Sequence, residues 1–204
     1  MGQIDEMRFV LRLLVVKVEQ VLVTNFDELL RDRFEGDVQV DANTVFKKWH
    51  QQNSMDEHQL RDELSKVGGS QQLNIDKSLV ELMDWACNHT PVRVAIMSSG
   101  SREWVRSIVN THELDSCIDL AYHYDRYPHG ERRTLLQFLM NRFIAGKGRT
   151  MFIGTSLEDE RLAQQEETRF RSLSERPTNN DDSGCWDYTV DELKEEIDRL
   201  KPET

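Results

Sequence analysis

The stretch that decides the fold is Val21-Leu22-Val23-Thr24-Asn25-Phe26-Asp27-Glu28-Leu29-Leu30. An apolar, β-branched run stops abruptly at polar residues, and a helical pattern takes over. A buried parallel strand that carries side chains to the top edge of an α/β sheet reads this way. The pattern predicts a first strand over residues 19–26, with Asn25 at its end and Asp27 two positions on. Residues 4–18, just before it, are also apolar enough for burial. Met7, Val10, Leu11, Leu14 and Val18 fall at helical spacing, yet Leu13 to Val18 suits a strand equally well, and periodicity leaves both open.

Working outward, Asp41 or Asn43 caps a polar helical stretch carrying Val45, Phe46 and Trp49. Ser54 with Glu57 forms a capping-box pattern ahead of Leu60, Leu64 and Val67, and Gly68-Gly69 closes that helix. Leu79, Leu82, Met83, Ala86 and Cys87 share one face of the next helix. A strand over Val92 to Met97 breaks at Ser98-Ser99-Gly100-Ser101, and Trp104, Val105, Ile108 and Val109 mark a further helix. A short strand is expected near Ile118 to His123. After Tyr127-Pro128-His129-Gly130, an apolar-faced helix carries Leu135, Leu136, Leu139, Met140 and Phe143, and Gly146 to Gly148 break it. The strand Thr150 to Ile153 runs into Gly154-Thr155-Ser156, a helix begins near Leu157, and Phe170 to Leu173 is another strand. Residues 174–184 read as a surface loop, and Val190, Leu193, Ile197 and Leu200 mark a closing helix. Alternating strands and amphipathic helices predict a three-layer, Rossmann-like α/β fold, a parallel sheet flanked by helices. Ligands on such sheets sit beyond the carboxyl ends of the strands, where Asn25, Ser98 and Thr155 are expected to converge.

Bulk properties narrow the function. The chain has 204 residues, 38% of them hydrophobic and 31% charged, which suits one core domain with a modest insertion. A net charge of −11 argues against a general nucleic-acid or anionic-membrane binder. No apolar run reaches the ~20 residues of a membrane span. Phe9 to Val18 is interrupted by Arg12 and Lys17, and with Asp5 and Glu6 ahead of it does not read as a signal peptide. Cys87, Cys117 and Cys185 have neither zinc-site nor disulfide-framework spacing, so a reducing, cytoplasmic location is expected. His50, His58, His89, His112, His123 and His129 show no metal spacing.

Four short motifs in this order resemble those of the haloacid-dehalogenase-like (HAD) phosphohydrolases, over most of residues 19–173 and the terminal helix. That family's first motif runs hydrophobic strand, Asp, any residue, Asp, then usually Gly-Thr-Leu. The first Asp attacks phosphorus and the second is the general acid/base. The resemblance places Asn25 at the nucleophile position and Asp27 at the acid/base position, with Glu28 and Leu29 where Gly and Thr would stand. A neutral amide is a poor nucleophile and removes an anionic oxygen from a Mg²⁺ site. Ser98 matches the second motif, a hydroxyl on a phosphoryl oxygen, and the N–H groups of Ser99 and Gly100 at a helix start could support the same anion. Arg132 or Arg133 stands in for the third motif's Lys, with a different shape and reach. In the fourth, Gly154 is kept, Thr155 replaces the first acid and Asp159 matches the second, leaving one weak metal ligand. Asp27 and Ser98 also read as ordinary helix caps.

The resemblance implies a HAD-like core over residues 1–30 and 77–204, with a small helical cap inserted at 31–76. It implies a catalytically impaired protein, a pseudophosphatase, that binds a phosphate-bearing ligand or a protein partner. No cofactor is expected on that reading. The alternatives are an active phosphohydrolase with an altered metal site, requiring Mg²⁺, and a structural or regulatory subunit.

Overall fold

Leu13–Lys17 (β1) is buried along its whole length, as a strand flanked on both edges and both faces must be. A computed structural model describes residues 10–26, 73–98, 100, 102–123, 132–172 and 189–201. The described elements follow β1 in the order Lys77–His89 (α1), Arg93–Met97 (β2), Arg102–Thr111 (α2), Leu120–Tyr122 (β3), Arg132–Arg142 (α3), Thr150–Gly154 (β4), Leu157–Gln165 (α4), Arg169–Ser172 (β5) and Val190–Leu200 (α5). The five strands form one sheet in the order β3-β2-β1-β4-β5, and all its pairings are parallel. The chain leaves β1 to build outward on one side through β2 and β3, then returns to build the other side through β4 and β5. Such a reversal opens a crevice at the carboxyl end of the central strand.

Alternation along β1 divides its side chains between two cores. Leu14 and Val16 join Val94, Ile96, Met151 and Ile153 under α1, α2 and α5. Leu13 and Val15 join Ala95, Met97 and Phe152 under α3 and α4. Three layers result. The helices dock through the apolar faces their spacing predicted: Leu79, Leu82, Met83 and Ala86 on α1, Trp104, Val105, Ile108 and Val109 on α2, Leu193 and Ile197 on α5. A bidentate ion pair from Arg171 on β5 to Glu196 on α5 ties the last strand to the last helix. Among the described residues, no helix is long and apolar enough to cross a membrane.

One expectation about the first strand is corrected. Residues 18–25 are turns and isolated bridges, and the strand lies before them, at Leu13–Lys17. Val21, Leu22 and Val23 are buried as their apolarity suggested. Their backbone, however, folds back on itself, with Leu22 N donating to Lys17 O (3.2 Å) and Val23 N to Val18 O (2.9 Å). Gln20 takes the left-handed conformation (φ 65°) that lets the chain reverse. The cap expected at 31–76 falls mostly on residues 27–72, outside those described. At its far end, Leu73 and Ile75 pack on the core, and Ile75 bridges to Val23.

Cys117 offers a check on this packing. Its thiol is buried and donates to Leu114 O at 3.2 Å, and burial, reinforced by Asp84, pushes it up to about 11. The folded state therefore holds this proton longer than the unfolded chain does. Stability should fall as pH rises past the ordinary thiol value of 9.0 towards about 11. Alkylation at pH 8 followed by peptide mapping should leave Cys117 unmodified until urea is added, and Cys117→Val should flatten the alkaline limb of the stability curve.

Candidate active site

The carboxyl end of β1 is Lys17, a charged residue at the centre of a parallel sheet, whose side chain is 4% exposed. A buried ammonium needs a partner, and Asp159 supplies it: Lys17 Nζ lies 2.8 Å from Asp159 Oδ2. Asp159 is the third residue of α4 and closes a capping box with Ser156. Its N–H donates to Ser156 Oγ (3.1 Å), while Oδ2 accepts from Ser156 N (3.1 Å) and Thr155 N (3.2 Å). One carboxylate oxygen thus collects an ammonium and two backbone donors at the positive end of a helix.

Gly154, the last residue of β4, makes this possible. A Cβ there would fall 2.7 Å from Asp159 Cβ and 2.9 Å from a Phe170 ring carbon. Only a glycine lets α4 start this close to the strand end.

On the other side of β1, Val18 N donates to Met97 O (2.9 Å), so the chain stays alongside the end of β2 for one more residue. Glu19 is then 5% exposed and accepts a hydrogen bond from the hydroxyl of Ser98, which follows β2 and is 1% exposed. Ser98 Oγ in turn accepts from Gly100 N at 2.9 Å. Gly100 is forced by packing as well: a Cβ would fall 2.3 Å from Trp104 Cδ1. The strand ends thus present Lys17 with Asp159 on one side and Glu19 with Ser98 on the other.

The residues expected from the sequence divide into three groups. Ser98, Gly100, Thr155 and Asp159 do gather at the carboxyl ends of β2 and β4, beside β1. Asn25 does not: it lies in the turn beyond β1, where its Oδ1 accepts from Asn74 N at 2.9 Å and holds the chain against residue 74. Asp27 and Ser99, and the side chains of Arg132 and Arg133, lie outside the described residues. Lys17 and Glu19 were missed. Laying the motif on the observed strand shows why they belong here. Aligned so that it ends with β1, that motif would put Lys17 and Glu19 at its two Asp positions, Gln20 at its Gly position with the positive φ a glycine adopts freely, and Leu22 at its Leu position. The signal is the run Leu-Leu-Val-Val-Lys-Val-Glu, within the stretch Leu13 to Val18 over which periodicity leaves helix and strand both open.

Mg²⁺, which the motifs imply, does not fit these residues. Position 17 holds an ammonium and position 155 a hydroxyl, whose Oγ1 is buried without a hydrogen-bond partner among the described residues. A divalent ion on Asp159 would meet a like charge at contact distance, a repulsion of several kcal/mol even at a moderate effective dielectric. Among the described residues, no group of three His, Cys, Asp or Glu side chains could hold a metal.

An open parallel α/β sheet with strand order 3-2-1-4-5, and polar groups collected beyond its central strand, defines the architectural class. No family model matches the sequence, and no curated protein does. Solved structures do. CbbY from Rhodobacter sphaeroides, in complex with phosphate, gives a TM-score of 0.62 at 11% identity, covering 84% of this chain and 90% of that one. A predicted phosphoglycolate phosphatase from Haemophilus somnus gives 0.60 at 12% identity, over 83% and 87%. A HAD-superfamily hydrolase from Ehrlichia chaffeensis gives 0.54 at 14% identity, over 94% of this chain and 98% of that one. The chain has the fold of the HAD-superfamily hydrolases, and at these identities the likeness is one of fold.

Two substitutions probe the geometry. Lys17→Met leaves Asp159 buried without its cation and should cost ~3–5 kcal/mol, seen as a fall in Tm of roughly 10 °C. Gly154→Ala should cost about 1–3 kcal/mol by pushing Asp159 and Phe170 away from the strand end.

Proposed function

We propose that this chain is a non-hydrolytic HAD-fold protein that works as a binding scaffold for a protein partner. The observation that carries the reading is the Lys17–Asp159 ion pair at the end of β1. With the motif laid on β1 rather than on Asn25, Lys17 stands at the nucleophile position, and an ammonium has no lone pair to offer phosphorus while it is protonated. The neighbouring groups are engaged with each other: Glu19 at the acid/base position takes the hydroxyl of Ser98, the group a phosphoryl oxygen would need.

Electrostatics disfavour a phosphate-bearing ligand at these strand ends. A phosphate dianion entering here would approach two carboxylates, Glu19 and Asp159, and the ammonium between the strand ends is already committed. Its positive charge would have to come from Arg132 or Arg133 at the start of α3. Ser98, Glu19, Lys17 and Asp159 are all nearly inaccessible, which suits a closed structural core.

The test is an assay of an aryl phosphate with and without Mg²⁺, run beside thermal unfolding with millimolar inorganic phosphate. Neither turnover nor a phosphate-dependent rise in Tm is expected. Turnover above the blank would overturn the non-hydrolytic reading. Saturable stabilisation by phosphate would replace the scaffold with a phosphate-binding pseudoenzyme, since a ligand of the native state raises its stability by mass action.

A further inference from the structure

We infer that Lys17 is a resident cation: its ammonium takes the place of a dissociable divalent metal and makes the fold metal-independent. This builds on the reading of the same site as non-hydrolytic and adds what holds its charge. Four observations meet in it. Lys17 Nζ lies 2.8 Å from Asp159 Oδ2, the carboxylate left at the expected metal position. Both side chains are buried, at 4% and 1% exposure, so bulk water screens neither. The other acid position expected on this side holds Thr155, whose buried hydroxyl oxygen has no hydrogen-bond partner among the described residues and brings no negative charge. Gly154 keeps the room that lets Asp159 reach the strand end. An ammonium on a four-carbon stem can fill a cation site from within the chain, with three donors and no exchangeable ligand position.

The arrangement differs from a metal site in a measurable way. A metal-holding fold loses stability in chelator and regains it with added ion, because only the native state binds the ion. A covalently tethered cation cannot be removed. The full chain, stripped with EDTA, should show the same Tm within about 1 °C before and after millimolar MgCl₂ is added. Replacing the cation by acids in Lys17→Asp/Thr155→Asp should reverse this, giving a protein less stable in EDTA and saturably stabilised by Mg²⁺. Should that variant fail to fold, Lys17→Met and Lys17→Met/Asp159→Asn decide the matter. The single variant should be strongly destabilised and unresponsive to Mg²⁺, and removing the orphaned charge should restore a large part of the loss.

A wild-type chain saturably stabilised by Mg²⁺ would overturn the inference, and so would a Lys17→Met protein as stable as wild type. The first of these without turnover would leave the non-hydrolytic reading standing. Turnover in EDTA by a chain whose Tm ignores Mg²⁺ would do the reverse.

Discussion

A charge placed at the centre of a parallel sheet must be answered locally, and the answer to Lys17 organises this end of the molecule. Desolvating an ammonium and a carboxylate costs several kcal/mol each, and Coulomb attraction offsets this only when the remaining lone pairs are also satisfied. The contact meets that condition because Asp159 Oδ2 also accepts from Thr155 N and Ser156 N. These donors are available because α4 begins here, and α4 can begin here because Gly154 has no Cβ. Strand end, glycine, capping box and ion pair form one mechanical unit. The pair's worth lies mainly in what breaking it would leave behind, an isolated buried charge.

Much of the fold was legible in the sequence where side-chain pattern and backbone state agree. Val92 to Met97 and Thr150 to Ile153 are apolar runs ending in polar, glycine-containing breaks, and both are strands. The faces of α1, α2 and α5 carry their apolar residues at a spacing that only a helix can bury on one side. The first strand misled because apolarity reports burial and not conformation. Val21, Leu22 and Val23 are as buried as the true strand, but Leu22 N and Val23 N donate back to Lys17 O and Val18 O, and Leu22 O accepts from Asp76 N. Nothing in three apolar residues distinguishes those partners from a neighbouring strand.

The site was legible where its residues are set by backbone demands and obscure where they are set by charge. Gly100 and Gly154 are required by close approach to Trp104 and Asp159, Ser98 holds the turn after β2 by accepting from Gly100 N, and Ser156 caps α4. Such positions survive any change of chemistry, so they could be read from spacing. Lys17 and Glu19 lie at the end of the central strand, and there a pattern written in aspartates cannot be matched by identity. Asn25-Phe26-Asp27 offered a closer match in letters, but Asn25 lies in the turn beyond the strand. The position of a side chain relative to a strand end is what fixes its role, and that depends on a register only the folded chain displays.

Charge bookkeeping across the four key positions explains how such a fold persists. Acids at positions 17, 19, 155 and 159 with one divalent ion would leave two net negative charges at the strand ends. The residues present, Lys17, Glu19, Thr155 and Asp159, leave one net negative charge with no ion at all. A lone replacement of a carboxylate by an amide would have left the remaining acids facing each other whenever the metal dissociated, a repulsion that a low-dielectric site magnifies. Exchanging the carboxylate for an ammonium alters the local charge by two units, the same amount a departing divalent ion takes away. Neutralising position 155 as well relieves the last of the crowding. Lys17 and Thr155 therefore complement each other electrostatically, and together they let the sheet edge hold Asp159 with its charge answered from within the chain.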